Sequence, residues 1–172
     1  MAEFNTNLWA PWRMDYIRSL KDELQDDGCF LCRYRDQPQR DAEHHVLWRA
    51  PGSYVVMNRF PYTNGHLLVA HARHRAELSE LTDEEVSDLG RTVRDALRIL
   101  GAVLKPDGYN IGYNLGVCAG AGLPDHLHAH VVPRWSGDTN FMAVIDGVRV
   151  VPDALDALYN DLIQAARAKG LG

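Results

Sequence analysis

Residues 126–134 read His-Leu-His-Ala-His-Val-Val-Pro-Arg, and this alternation limits the chain more than any other feature. Successive side chains of a β-strand point to opposite faces. His126, His128 and His130 therefore project from one side, and Leu127, Ala129 and Val131 from the other. The aliphatic set faces a core, and the imidazoles line the opposite, more open surface at about 6.5–7 Å intervals. Three titratable rings in one row make little sense as packing. They suit chemistry that needs a neutral imidazole nucleophile flanked by hydrogen-bond donors, with a metal site of the His-x-His type as competitor. Gly120 and Gly122 lie just upstream, where a backbone can turn its N–H groups toward an anion and stabilise a phosphoryl transition state.

The flanking pattern predicts the rest of the sheet. His45–Arg49 and Tyr54–Asn58 are short strand-like runs split by Ala50-Pro51-Gly52-Ser53, a hairpin signal. A turn at Pro61–Gly65 leads into a strand at His66–His71, and Tyr109–Asn114 and Leu127–Val132 supply two more. Thr82-Asp83-Glu84-Glu85 fits a helix capping box. Behind it Val86, Leu89, Val93, Leu97 and Leu100 recur at three- and four-residue steps, the apolar face of a long helix ending near Lys105-Pro106. Leu155, Leu158, Leu162 and Ala166 mark a C-terminal helix after Pro152. A short helix is expected through Met14–Leu24, and 33–43 reads as a loop or short helix. Tight turns between strands favour an antiparallel sheet with one long helix packed across it, an α+β arrangement.

The 172 residues suit one domain: an N-terminal extension (1–44), a catalytic core (45–142) and a C-terminal extension (143–172) packed on it. Aromatic Trp9, Trp12 and Tyr16 point to an N-terminal segment packed on the domain or on a second subunit. Apolar residues at 46% and charged residues at 24% are ordinary globular composition. A net charge of −5 argues against a nucleic-acid or anionic-membrane binder, so a phosphate ligand must be held by local donors. No signal peptide is recognisable and no apolar run approaches the roughly 20 residues of a spanning helix, which leaves the cytoplasm as the expected setting. Cys29, Cys32 and Cys118 are too few and too odd in number for a secreted disulfide scaffold. Cys29-Phe30-Leu31-Cys32 has the spacing of two thiolates on one zinc. A redox pair and accident stay open, the former weakened because no thioredoxin-like strand precedes it.

His126–Val132 resembles the histidine-triad signature, His-φ-His-φ-His-φ-φ with φ apolar, except that Ala129 is small. The run Tyr54-Val55-Val56-Met57-Asn58-Arg59-Phe60-Pro61 followed by Gly65-His66-Leu67-Leu68-Val69 is similar to the same superfamily, notably its fragile-histidine-triad branch. Asn114-Leu115-Gly116 through Gly122, with Pro133-Arg134-Trp135 and Gly137–Phe141, resembles the bacterial diadenosine tetraphosphate phosphorylase branch. The likeness covers about residues 45–142.

The resemblance implies an enzyme, with His128 as nucleophile on the α-phosphorus of an adenine-type nucleotide and a nucleotidyl-histidine resolved by water or phosphate. It implies that His130 and His66 approach the phosphates, that His126 belongs to the catalytic set as neighbour of the nucleophile, that Asn58 meets the ribose hydroxyls, and that Asn114, after a one-residue gap, contacts phosphate. It also implies a homodimer and a structural zinc held by Cys29, Cys32, His74 and His126, with no catalytic metal. The chain departs from the commoner Gly-Gln-Ser/Thr loop: Gly120-Ala121-Gly122-Leu123 carries no side-chain donor, so donation falls to backbone N–H groups. The activity expected is diadenosine polyphosphate phosphorolysis or hydrolysis. Alternatives are nucleoside phosphoramidate hydrolysis, a nucleotide-binding regulator with little activity, and a hydrolase using His126, His128 and His130 as metal ligands.

Overall fold

The computed structural model describes residues 28–138 and 155–171. The expected helix through Met14–Leu24 and the segment leading into the C-terminal helix lie outside the described residues.

Five strands form one antiparallel sheet: β1 (Val46–Arg49), β2 (Ser53–Met57), β3 (Leu67–His71), β4 (Gly108–Tyr113) and β5 (His128–Arg134). Their spatial order is β1-β2-β3-β5-β4, which puts the histidine strand inside the sheet with partners on both sides. The hairpin turn forms as the sequence suggests, Ala50 N–H donating to Ser53 O at 2.8 Å. Gly65 closes the turn before β3 at φ +74°, a conformation that favours glycine, and a Cβ there would press on Leu104 Cδ1.

Helix α3 (Asp83–Val103) follows β3, and helix α4 (Leu155–Ala168) closes the described chain; ahead of β1 come α1 (Phe30–Asp36) and a single turn, α2 (Asp41–His44). The expected capping box is present: Thr82 Oγ1 accepts from Glu85 N and Glu85 Oε2 accepts from Thr82 N at 2.9 Å. The buried stripe of α3 is rotated from the expected one. Leu89, Thr92, Ala96, Ile99 and Leu100 are buried, Val93 and Leu97 lie at the margin, and Val86 is 42% exposed. The physical reason is a polar contact that an apolar pattern cannot register. Thr92 turns inward because its hydroxyl pairs with Ser53 Oγ at 2.7 Å, and small Ala96 lets the helix approach the sheet.

Both faces of the sheet are covered. On one, Val55, Met57, Leu67, Val69, Leu127, Ala129 and Val131 pack with α3 and α4. On the other, Leu31 and Tyr34 of α1 pack with Val46, Tyr54, Val56, Leu68, Ala70 and Leu123. Among the described residues no helix is long and apolar enough to cross a membrane.

Candidate functional site

The histidine face is less open than the alternation suggested: His126 is 1% and His128 8% exposed. The cover comes from α1 and the loop between β4 and β5. The ladder also begins at His128, so His126 stands just ahead of the strand. Leu127 is tied down on both sides, its N–H donating to Arg75 O and its carbonyl accepting from His71 N. This pairing holds the three imidazoles in order across the strand entry.

The hydrogen bonds determine where each ring carries its proton. A carbonyl oxygen can only accept, so His128 Nδ1, 2.7 Å from His126 O, is the protonated nitrogen and Nε2 keeps its lone pair. Burial lowers the pKa of this ring, keeping it neutral. At His66 the backbone N–H of Tyr62 donates to Nδ1 at 3.1 Å, and Asn58 Nδ2 lies 3.2 Å from the same atom. His66 Nε2 therefore holds the proton and donates to His130 Nδ1 at 3.0 Å. That leaves the His130 proton on Nε2, which sits 3.3 Å from Asn114 Nδ2. Burial, and secondarily the neighbouring His128, push the pKa of His130 down to about 4, so the ring is a neutral donor. Two donors cannot bond each other, so in the resting site the Asn114 amide turns Oδ1 to this proton, and a phosphoryl oxygen seated between the two can accept from His130 Nε2–H and Asn114 Nδ2–H together. The ring of Tyr62 packs over both imidazoles, its centroid 4.6 Å from that of His66 and 5.9 Å from that of His130.

These groups open into a cleft. Asn58, Asn114, Gly120, Gly122, His128 and His130 all line it, and His66 reaches it through His130. Two of the sequence expectations change in detail. Asn58 Oδ1 accepts from Phe60 N at 2.9 Å, so part of its capacity is spent shaping the turn. The Gly120 N–H donates to Val117 O at 3.0 Å inside a 3-10 turn and is not aimed at the cleft. The remaining wall escaped sequence reasoning: Phe30, Tyr34, Val56, Leu68 and Leu123 form an apolar patch beside the histidines, of a character suited to a planar base. Val56 and Leu68 pair across β2 and β3, and Leu68 pairs with His130, so register alone could have flagged them.

Cys29, Cys32, His74 and His126 also converge, their ligand atoms all within 4.8 Å of one another. His126 Nδ1 lies 3.1 Å from Cys29 Sγ and 3.5 Å from Cys32 Sγ, and His74 Nδ1 lies 3.3 Å from Cys32 Sγ. Tetrahedral zinc with two thiolates and two imidazoles requires S···N separations of about 3.6 Å. The donor set fits that ion. The other nitrogen of His126, Nε2, donates to His71 O at 2.8 Å, which anchors the ring and frees Nδ1 for a metal. Burial raises the Cys29 thiol to about 11, so a thiolate there calls for a cation beside it. Both nitrogens of His126 are thus committed away from the cleft, which counts against a metal shared by His126, His128 and His130.

Comparison with known proteins agrees with this architecture. The family model described as HIT domain matches residues 39–137, and the chain belongs to that family. Across 151 residues it is 40% identical to an AP-4-A phosphorylase of Mycobacterium tuberculosis, covering 86% of this chain and 77% of that protein. A bis(5'-nucleosyl)-tetraphosphatase (asymmetrical) of Schizosaccharomyces pombe is 36% identical over 54% of this chain and 50% of its own length. Among solved structures, a zinc-bound histidine triad family protein from Mycobacterium smegmatis superposes with a TM-score of 0.64 at 26% identity, covering 81% of this chain and 95% of that one.

Proposed function

We propose that the protein is a nucleotidyl transferase or hydrolase acting on diadenosine polyphosphates through a covalent nucleotidyl-His128 intermediate. The observation that carries this reading is the 2.7 Å bond from His128 Nδ1–H to His126 O, which leaves a bare Nε2 in the cleft. The names of the relatives from M. tuberculosis and S. pombe support the substrate class. In the first step the Nε2 lone pair bonds to the α-phosphorus and the P–O bond to the leaving nucleotide breaks, that oxygen keeping the electron pair. His130 Nε2–H and Asn114 Nδ2–H receive the charge that gathers on a non-bridging oxygen. In the second step an incoming oxygen displaces His128 and restores its lone pair.

Phosphate is the better acceptor for this site. Water must lose a proton as it attacks, and the described lining has no carboxylate. His128 is occupied by the nucleotidyl group, and His130 presents a donor. A phosphate dianion arrives already ionised. With diadenosine tetraphosphate and phosphate, ³¹P NMR is expected to show ATP and ADP in equal amounts. AMP and ATP alone would mean hydrolysis, and no turnover of any dinucleotide would refute the reading.

The same proposal takes zinc as the occupant of the Cys2His2 group, in a structural role, and residues 1–44 and 143–172 as extensions of a single domain. A reducing setting such as the cytoplasm suits a site built on free thiols. A homodimer is part of the reading, supported by β4 at the sheet edge with Ile111 49% exposed.

A further inference from the structure

Two ligands of the metal-binding group and two residues of the apolar wall sit on one seven-residue helix and its N-cap. Cys29 is the N-cap of α1, its Sγ accepting from Cys32 N at 3.4 Å. Phe30 follows it directly, Tyr34 comes one turn later, and both line the cleft. A helix this short has no stability of its own, so its position is set by its attachments. Its carbonyls at Leu31, Tyr34 and Arg35 accept from Tyr54 Oη at 2.6 Å, Arg49 Nη2 at 2.7 Å and Arg49 Nη1 at 3.0 Å. These bonds tie it to β1 and β2. Attachment toward the nucleophile strand runs through the cysteines, which meet His126 two residues ahead of His128. The tie to β5 therefore depends on what joins two thiols to two imidazoles.

We infer that the Cys29, Cys32, His74 and His126 group is a positioning device for nucleotide recognition: a metal bound there draws α1 onto the entry of β5 and fixes Phe30, backed by the buried Tyr34, as the surface on which the base stacks. This rests on the nucleotide reading above. Metal and nucleotide then bind cooperatively, and linkage requires the effect to be reciprocal. A nucleotide stacked on Phe30 holds the helix in place, slows metal loss and tightens metal binding, and the metal raises nucleotide affinity by the same factor as the nucleotide raises metal affinity. The coupling runs through the base, so a sugar phosphate that reaches only the histidines does not produce it.

Zinc transfer from the loaded full-length protein to a chromogenic chelator tests this without any turnover. Saturating AMP is expected to slow transfer at least tenfold, and ribose 5-phosphate less than twofold. Phe30→Ala, which leaves all four ligands in place, is expected to abolish the protection by AMP, with Tyr34→Leu as the second variant should the first fail to retain zinc. In stripped protein, AMP affinity measured by calorimetry is expected to fall by the factor by which saturating AMP tightens zinc binding in an equilibrium competition with the chelator. The inference is overturned if bound AMP leaves the release rate unchanged, if ribose 5-phosphate protects as well as AMP, or if the wall variants keep full protection. Failure of AMP to bind the loaded protein would remove the nucleotide reading, and this inference with it.

Discussion

Asn114→Ala isolates one of the two donors at the oxyanion position. In the wild type, Asn114 Nδ2 and His130 Nε2 stand 3.3 Å apart, and one phosphoryl oxygen can accept from both. Removing a preorganised donor from a closed site costs about 2.7–4 kcal/mol of transition-state stabilisation. Asn114 is only half-buried, and water can partly replace it, so roughly 2–3 kcal/mol is the appropriate range. That corresponds to a fall in kcat of about 30- to 150-fold, with KM changing far less because charge gathers on that oxygen only as the bond breaks. Asn114→Asp should be worse than alanine, since a carboxylate accepts the His130 proton and repels the phosphate. Single-turnover release of ATP from diadenosine tetraphosphate measures the step directly. An alanine variant within fivefold of wild type, or one whose loss is entirely in KM, would refute the paired-donor geometry.

Three further outcomes follow from the packing. Tyr54→Phe removes the 2.6 Å bond to Leu31 O, a carbonyl that keeps its bond within the helix, so it should cost about 0.5–1.5 kcal/mol in denaturant unfolding; a neutral result would contradict the anchoring of α1 to β2. Gly65→Ala puts a methyl against Leu104 Cδ1 at positive φ, and a thermal melt should show a loss of about 1 kcal/mol or more, whereas an unchanged Tm would mean that the turn relaxes freely. The His130 pKa of about 4, set by burial, lies below the unfolded value near 6.5, so the unfolded chain binds this proton first. The stability owed to the neutral ring is complete above about pH 6.5 and declines as pH falls toward 4, by up to about 1.4 kcal/mol per pH unit. His130→Asn should show a shallower decline between pH 6.5 and 4.5, and an identical slope would exclude this ring as the source.

Much of the site was legible because strand alternation is geometry. Once 128–132 is a strand, the sides of Ala129 and Val131 and of His128 and His130 are determined, and both sets lie where the pattern put them, while His126, just ahead of the strand, turns to the cysteines. The capping box at Thr82 and the convergence of Cys29, Cys32, His74 and His126 followed the same logic of spacing or resemblance. What stayed hidden depended on contacts distant in sequence. The face of α3 turned on a hydroxyl pair between Thr92 and Ser53, which no apolar periodicity records. The Gly120 N–H was spent on a local turn, a choice made by loop conformation. Phe30 and Tyr34 became the cleft wall only because α1 folds across β2, and the proton positions on four imidazoles required the observed partners.

The most direct test is to catch the bond itself. Acid-free rapid quench of the protein with adenine-labelled diadenosine tetraphosphate, followed by peptide mass spectrometry, should find adenylate on His128 in a burst that matches ATP release one for one. The adduct should disappear on adding phosphate, with ADP formed in its place. Labelled ATP appearing at the full rate while His128 stays unmodified, or adenylate found on a different side chain, would contradict the account.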